Sequence, residues 1–456
     1  MVHFLELVFF LLILKAILRC LYFWQLKEYR WDRFREFLKT SQARQYFLPT
    51  RWFLKPKFTL KIFLLIYLPF YFTILILRLP NLLIIPIIAY LVIPLTVTLT
   101  VFLLKPPTDL VIDAIILLAK LKMKLMPESL KVIGVTGSYG KTSTKEILAH
   151  LLAAEHQVCK TQGTDNTAIG VAKTVLKNLK KSHQVFVVEM GAYQQGEIKQ
   201  ICKIVKPSIA VLTGITQQHL GLFGSLEKII KTKYELIEAL PQDGLAVFNG
   251  DDQRVLNLAK KTKHLKTITY HQSKTPYQTN LLGDYQQINI QAAVTVAKKL
   301  GISPSTIKTR LKNIPSFKTT ITLRRGINKA IIVDDTYNAN PQGFKAAIKY
   351  LKTQKAAYKI LITSGIIELG QETEKIHQQL AQQAMQVFNE IIITKQDIAD
   401  IFLAVQPKKS KTKIVFQPNY RKLTQYLKTS LKSQTAVLLE SRLPQKFINH
   451  LCQNPS

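Results

Sequence analysis

The stretch that decides the fold is KVIGVTGSYGKTSTKE, residues 131–146. Its first part, KVIGVTG (131–137), is apolar and predicts a buried strand. TSTKEILAHLLAAE (142–155) places apolar residues at helical spacing and predicts a helix. A glycine-rich turn joins the two. A strand that enters such a turn and then a helix is suited to phosphate binding, because backbone N–H groups and the helix dipole face the anion.

The same turn carries the residue types that nucleotide chemistry needs. Lys141 can reach the β- and γ-phosphates, and the hydroxyl of Thr142 can bind Mg²⁺. The spacing differs from the common GxxxxGK pattern because position 135 is a valine. We predict that the phosphates are bound by the following residues: Gly137, Ser138, Gly140, Lys141, Thr142 and Ser143.

From residue 131 onward, short apolar segments alternate with longer amphipathic ones. Strands are predicted at 131–137, 185–191, 208–215 and 245–252. A second series begins near residue 327, with strands at 329–335, 358–365, 390–394, 412–416 and 435–441. This alternation predicts an α/β fold with parallel sheets and crossover helices. We place one domain at 131–313 and a second at 314–456.

The composition sets limits on the protein class. The chain has 456 residues, a formal net charge of +35 and 47% hydrophobic residues. Such apolar content excludes a disordered basic tail. Four cysteines lie far apart, at positions 20, 159, 202 and 452, which makes a disulfide framework and a zinc finger both unexpected.

Apolar residues are concentrated before residue 105. Residues 79–104 form a run of 26 without formal charge, and 62–77 form another of 16. About 20 apolar residues cross a bilayer as a helix. We therefore predict spans at 62–78 and 79–104, with a tight turn near Arg78–Asn81. Residues 3–24 are a possible third span, or a signal-like or interfacial helix. The predicted membrane region is 1–107, and 108–130 is a predicted amphipathic linker helix.

The loop between the first two apolar segments is basic. From Gln25 to Lys61 there are ten Lys or Arg and three Asp or Glu residues. The positive-inside rule places this loop, and everything after residue 105, on the cytoplasmic side. Topology is sufficient to explain the charge, and contact with anionic membrane lipids would accompany it. Nucleic acid is not expected as a partner beside membrane spans.

At TGSYGKTST (136–144) the sequence resembles the Mur ligases, the ATP-dependent amide-forming enzymes of peptidoglycan synthesis. Further stretches resemble the family in the same order: VVEMGAYQQGEI (187–198), PSIAVLTGITQQHLGLFGSLEKIIKTKYEL (207–236), GDYQQINIQAA (283–293), VDDTYNANP (333–341) and GIIELGQETEKIH (365–377). The resemblance covers most of 131–456. It implies a P-loop central ATPase domain with a parallel sheet, followed by a C-terminal Rossmann-like α/β domain.

The resemblance also implies the chemistry. These ligases use ATP to convert a carboxylate into an acyl phosphate, which an amine then attacks. The polyanionic transition state needs cations and fixed geometry. Lys141 and Thr142 would hold the phosphates and a first Mg²⁺, with Glu189 as its carboxylate ligand. His219 would serve a second Mg²⁺.

Lys233 is assigned from the K-x-E-L register, in preference to Lys228 and Lys231, as the family lysine that CO₂ carbamylates. Carbamylation turns a cation into an anionic ligand, which suits Mg²⁺. Lys141, Lys233 and His219 are thus the predicted catalytic residues. The remaining nucleotide contacts and cleft residues implied by the resemblance are Asn289, Asp335, Tyr337, Asn338 and Asn340. His377 is interpreted as a helix-packing residue.

Several positions depart from the family pattern. The family's N-terminal UDP-sugar domain is replaced by the predicted membrane segments, so the acid substrate is expected to be membrane-linked or recognised through its peptide. Thr164-Asp165-Asn166-Thr167 keeps one of the expected asparagines. Thr319-Thr320 stands where the family has Gly-Arg, with Lys318, Arg324 and Arg325 as possible replacements. LLESR (438–442) loses a family lysine.

The prediction from the whole sequence is a membrane-anchored, ATP-dependent amide ligase of cell-envelope synthesis. It would act on envelope precursors, with an amine such as D-alanyl-D-alanine, on the cytoplasmic side of the bacterial inner membrane. One alternative is a related ligase with another acid and amine, as in folylpolyglutamate or cyanophycin synthesis. VDDTYNANP and the ELG motif argue against it. The other is a nucleotide-binding membrane scaffold with weakened catalysis. The substrates and the oligomeric state stay open.

Overall fold

The computed structural model describes residues 2–39, 43–48, 54–77, 85–163, 165–217, 220–317, 321–337, 339–367 and 369–452. The chain divides into two compact units, Met1–Ala114 and Ile115–Ser456.

The first unit is helical. Its elements are α1 (Val2–Leu26), α2 (Trp31–Leu38), α3 (Arg44–Phe47), α4 (Leu60–Leu77), α5 (Ile85–Leu103) and the start of α6 (Lys105–Lys124). Ile17 and Leu21 of α1 pack with Ile62 of α4 and Val97 of α5 in its core. Burial of such side chains stabilises the unit by roughly 1.5–3 kcal/mol each.

The predicted membrane location is wrong, as the helices of this unit show. None of the described helices combines the length and the apolar character that crossing a bilayer requires. The spans predicted at 62–78, 79–104 and 3–24 are therefore not supported, nor are membrane lipids as partners. The turn predicted near Arg78–Asn81 lies outside the described residues. The error has a physical cause, because a run of apolar residues does not reveal whether its side chains pack against other helices.

The second unit contains two sheets. The strands of the first are β1 (Lys131–Thr136), β2 (Val158–Lys160), β3 (Val185–Glu189), β4 (Ile209–Leu212), β5 (Leu245–Asn249) and β6 (Lys266–Tyr270). They run parallel in the order β2-β3-β1-β4-β5-β6. The helices that connect or cover them are α7 (Lys141–Leu152), α8 (Ala168–Lys177), α9 (Glu197–Val205), α10 (Leu220–Phe223), α11 (Leu226–Glu238), α12 (Gln253–Lys261), α13 (Gln286–Lys299) and α14 (Pro304–Lys312).

The second sheet is mixed. Its strands are β7 (Thr322–Arg325), β8 (Ile331–Asp335), β9 (Tyr358–Thr363), β10 (Glu390–Ile393), β11 (Lys413–Phe416) and β12 (Thr435–Glu440). Their order is β11-β10-β9-β12-β8-β7, and β7 is antiparallel to β8. The accompanying helices are α15 (Pro341–Thr353), α16 (Thr373–Met385), α17 (Gln396–Ala404), α18 (Tyr420–Ser430) and α19 (Gln445–Leu451).

The α/β prediction with a parallel sheet is confirmed. The central strands are buried along almost their whole length, as expected when helices cover both faces of a parallel sheet. The carboxyl ends of parallel strands meet at one edge, where ligands commonly bind in such folds. The loop after β1 and the end of β3 lie at that edge of the first sheet, because β1 and β3 are neighbours.

Candidate active site

The turn between β1 and α7 depends on two glycines. Gly137 has φ +153°, and a Cβ there would lie 2.2 Å from the hydroxyl of Thr213. Gly140 has φ +77°, and its Cβ would lie 2.5 Å from Oδ1 of Asn289. Both positions therefore exclude a side chain. Their backbone can approach a ligand at the N-terminus of α7, where free N–H groups favour an anion.

Lys141 begins α7 and turns back over the loop. Its ammonium donates hydrogen bonds to the carbonyl oxygens of Gly137 at 2.7 Å and Ser138 at 3.4 Å. Burial lowers the pKa of Lys141, and the negative charge of Glu189 opposes that shift. The loop therefore holds a cation where phosphates would approach it.

Glu189 ends β3 beside this loop and is 2% exposed. Its Oε1 accepts hydrogen bonds from the hydroxyl of Thr142 and from the side-chain amide of Asn166, each at 3.0 Å. Its backbone N–H donates to the hydroxyl of Thr161 at 3.0 Å. Asn166 is the single asparagine that remains in the 164–167 stretch, and its contact fixes the carboxylate next to Thr142.

A second buried lysine, Lys145, approaches the other side of Glu189. Its Nζ lies 3.3 Å from Glu189 Oε2 and 3.1 Å from Glu146 Oε1, and the lysine side chain is fully buried. Glu146 is in turn paired with Lys160. The hydroxyl of Thr142 and the ammonium of Lys145 thus contact different oxygens of one carboxylate.

Lys233 of α11 is 4% exposed. Burial, followed by the charge of Lys141, lowers the pKa of Lys233 to about 7, although Glu197, Glu235 and Glu189 act in the opposite direction. The Nζ lies 5.9 Å from the ring centre of Phe223. Burial thus favours the neutral amine at this position, which is the nucleophilic form of a lysine.

The predicted residues of the second sheet differ in what they contact. Asp335 ends β8 at the carboxyl edge and is partly exposed. Burial raises the pKa of the Tyr337 phenol, and the charges of Glu189 and Glu146 raise it further, which places Tyr337 within electrostatic reach of the first sheet's site. Asn340 instead caps α15, since its Oδ1 accepts from the N–H of Gly343 at 2.9 Å.

Other predicted residues have structural contacts or lie outside the description. Asn289 is buried on α13, beside the position a Gly140 Cβ would take, and donates to Gln286 Oε1 at 3.1 Å. Arg324 is paired with Asp334 at 3.0 Å, so it is already engaged. His219, Asn338 and Lys318-Thr319-Thr320 lie outside the described residues.

The arrangement fits a phosphate group and a hard divalent cation. Glu189 Oε2 is buried and accepts no hydrogen bond from the described residues, although the Lys145 ammonium lies 3.3 Å from it. A carboxylate and a hydroxyl within 3.0 Å of each other supply the oxygen ligands that Mg²⁺ prefers. The glycine turn and Lys141 supply N–H groups and positive charge for phosphates.

Comparison with known sequences identifies this arrangement. The Mur ligase middle domain matches residues 135–290, and the Mur ligase glutamate ligase domain matches residues 321–443. Together the two domains occupy more than half of the chain. The chain belongs to the Mur ligase family.

Individual Mur ligases show the same likeness. UDP-N-acetylmuramoyl-tripeptide–D-alanyl-D-alanine ligase of Bacillus subtilis is 30% identical over 301 residues, which are 60% of this chain and 66% of that protein. The Escherichia coli enzyme of that name is 29% identical over 281 residues, or 56% and 62%. This chain thus spans less than two thirds of the length of these relatives.

A solved Mur ligase structure agrees with the fold. The MurF ligase from Thermotoga maritima in complex with ADP has a TM-score of 0.63 and 27% identity, and the match covers 73% of this chain and 80% of that one. The predicted Mur ligase resemblance is confirmed.

Two buried charges in these Mur ligase domains were missed by sequence reasoning. Lys145 stands four residues after Lys141, one helical turn away, and that spacing could have indicated a second cation facing the same edge. Glu440 of β12 faces Asp335 across the sheet. No local sequence pattern indicates that these two residues are neighbours, because their pairing depends on the register of two strands that are distant in sequence.

Proposed function

We propose that the chain is an ATP- and Mg²⁺-dependent amide ligase of peptidoglycan synthesis. It would activate a carboxylate as an acyl phosphate for attack by an amine such as D-alanyl-D-alanine. The observation that carries this proposal is the grouping of Lys141, Thr142, Glu189 and Lys233 at the carboxyl edge of the first sheet. The acid and the amine proposed are those that the two related ligases are named for.

In the proposed reaction, the turn at Gly137 and Gly140 receives the phosphates and Lys141 neutralises their charge. The ammonium now bonded to the carbonyls of Gly137 and Ser138 can transfer those donors to phosphate oxygens. Thr142 and Glu189 would hold Mg²⁺, and the bound ion would supply positive charge beside the transferred phosphoryl group. Electrostatic stabilisers of this kind each contribute about 100-fold or more in rate.

Lys233 is proposed to be carbamylated. The neutral amine forms a bond to the carbon of CO₂ and loses one proton, which leaves a carbamate with a negative charge. The low pKa of Lys233, about 7, supports this step because only the neutral amine is nucleophilic. The product supplies oxygen ligands close to Lys141 and Glu189, whose charges act on Lys233.

The two sheets have different proposed tasks. Residues 131–313 would bind ATP, and residues 314–456 would close over the nucleotide and receive the amine. Asp335 and Tyr337 of the second domain support this division, because Tyr337 is within electrostatic reach of Glu189. His219 and Asn338 stay proposed contacts.

The test is phosphate release from ATP by the full chain, with UDP-N-acetylmuramoyl-tripeptide and D-alanyl-D-alanine present. Lys141→Ala should lower the rate about 100-fold or more. Lys173→Ala, on the exposed face of α8, is the matched control and should leave the rate unchanged. A Lys141→Ala variant with the wild-type rate would refute the site. ATP binding without turnover on any acid and amine pair would favour a non-catalytic nucleotide scaffold.

A further inference from the structure

Two carboxylic acids end neighbouring strands of the second sheet. Asp335 of β8 and Glu440 of β12 are register partners in the parallel pairing. Glu440 is fully buried, whereas Asp335 keeps some exposure at the edge of the sheet. Both carboxylate oxygens of Glu440 are buried, and no described donor makes a hydrogen bond of ordinary geometry to either of them. Two acidic residues are thus neighbours at the ends of adjacent strands, and one of them is fully buried.

A proton shared between the two carboxyl groups would remove the repulsion between them. Burial raises the pKa of Glu440 well above its ordinary value, and the charge of Asp335 raises it further, with only the Ser441 backbone in opposition. Burial also raises the pKa of Asp335, to about 7, while its hydrogen bond with Glu440 lowers it. The hydrogen bond thus acts in opposite directions on the two acids. A proton on Glu440, the more deeply buried of the two acids, would let its O–H donate to the Asp335 carboxylate.

The groups around Asp335 and Glu440 do not neutralise the two acids. On β8, Asp334 is paired with Arg324 at 3.0 Å and accepts from the Thr336 hydroxyl at 2.7 Å. At the start of α13, burial raises the pKa of the Tyr285 phenol, and the charges of Asp335 and Glu440 raise it further. On β9, the register partner of Glu440 is Thr363, which has no charge.

Two basic side chains, Arg442 and Lys395, act on each other instead. The charge of Arg442, which follows β12, acts on Lys395. Neither Arg442 nor Lys395 is among the groups that shift the pKa of Asp335 or Glu440. Within the described residues, the pair is therefore not neutralised by a cation, and a carboxylate that is buried without a cation retains a proton.

We propose that Glu440 is a positioning residue for the nucleotide: in its protonated form it donates a hydrogen bond to Asp335 and holds that carboxylate as an acceptor for a hydroxyl or amino group of the nucleotide. This inference rests on the proposed function, in which Asp335 contacts ATP. Glu440 itself is too deeply buried to touch a ligand. Loss of its proton would place two adjacent anions at the edge of the sheet, and repulsion would move Asp335 from its position.

The protonation state can be tested by infrared spectroscopy on the full chain at pH 7.5. The carbonyl band of an un-ionised carboxylic acid should be present in the wild type and absent in Glu440→Gln. Glu390→Gln is the matched control, because Glu390 is also a buried strand glutamate but accepts from the Tyr426 hydroxyl at 2.8 Å and is paired with Lys413 at 3.3 Å. That variant should keep the band. A wild type without the band overturns the proposal.

The positioning role is tested by calorimetric titration with ADP and Mg²⁺. Glu440→Gln keeps a donor and should bind within about threefold of the wild type, whereas Glu440→Leu removes the donor and should bind about tenfold more weakly. Thermal unfolding of each variant separates a folding defect from a binding defect. Equal affinities for the Gln and Leu variants overturn the proposal, even if their stabilities differ. A wild type that does not bind ADP refutes the proposed function itself, and the infrared band then reports only on the acid pair.

Discussion

Replacing Lys145 by methionine should destabilise the second unit. The lysine is fully buried, and its ammonium lies 3.3 Å from Glu189 Oε2 and 3.1 Å from Glu146 Oε1. Removal of one partner from a buried ion pair typically costs about 3–5 kcal/mol, because the other charge stays buried. Glu189 retains hydrogen bonds from Thr142 and Asn166, and Glu146 retains Lys160. The expected loss in the free energy of unfolding is therefore about 3 kcal/mol, the lower end of that range.

Urea unfolding followed by far-UV circular dichroism measures this loss. All three tryptophans, at positions 24, 31 and 52, belong to the first unit, so tryptophan fluorescence reports the unfolding of that unit separately. Lys145→Met should shift the main circular dichroism transition and leave the fluorescence transition unchanged. Adding Glu189→Gln should recover part of the loss, because the uncompensated carboxylate is then gone.

Lys160→Met is the matched control. Lys160 is 31% exposed and pairs with Glu146 at the outer end of the same network. A partly exposed pair contributes at most about 1 kcal/mol. A cost below about 1 kcal/mol for Lys145→Met, or one no larger than that of Lys160→Met, would refute the role of the buried ion pair. That role is also refuted if the second substitution at Glu189 recovers nothing.

Three further outcomes follow from single residues. For Lys233, ¹³CO₂ added at pH 8 should give a ¹³C NMR carbamate signal that Lys233→Arg lacks. The reason is that most of an amine with a pKa of about 7 is neutral at pH 8. A wild type without the signal contradicts carbamylation of Lys233. His377 is buried, accepts from the N–H of Ile366 at 2.9 Å and donates to the Thr373 carbonyl at 2.7 Å, and burial lowers its pKa below the ordinary 6.5. The neutral form of His377 therefore stabilises the fold above pH 6.5, and this stabilisation is lost as pH falls. The free energy of unfolding should drop below pH 6.5 in the wild type and less steeply in His377→Gln. Equal slopes would exclude a stabilising role for neutral His377. Tyr139→Phe removes the hydrogen bond to Asp252 Oδ2 at 2.9 Å and should cost about 1 kcal/mol in thermal unfolding, and an unchanged midpoint would contradict it.

The sequence predicts the site best where the signal is local. The strand, the glycine turn and Lys141 follow one another in the chain, so their arrangement is fixed by neighbouring residues. The position of Glu189 at a strand end was also readable, because a buried apolar run stops there. Asn166 shows the limit: its presence was noted, but its contact with Glu189 depends on how the loop before α8 folds back on β3.

Contacts between distant segments could not be predicted in the same way. The pairing of Glu440 with Asp335 requires the register of β12 against β8. Asn340, which stays a predicted cleft residue, also caps α15, because an asparagine before Pro341 is a strong helix start. In the first unit, Ile62 and Val97 belong to apolar runs that predicted membrane spans, but both side chains pack in a helical core.

The most direct test of the central claim is the product itself. The chain of residues 1–456 is incubated with ATP, Mg²⁺, UDP-N-acetylmuramoyl-tripeptide and D-alanyl-D-alanine. Mass spectrometry follows the joined product, and phosphate release is measured in parallel. We expect one amide product for each phosphate released, dependence on both substrates, and loss of both signals in Lys141→Ala. Phosphate release that continues without the amine, or a product that still forms in Lys141→Ala, would contradict it.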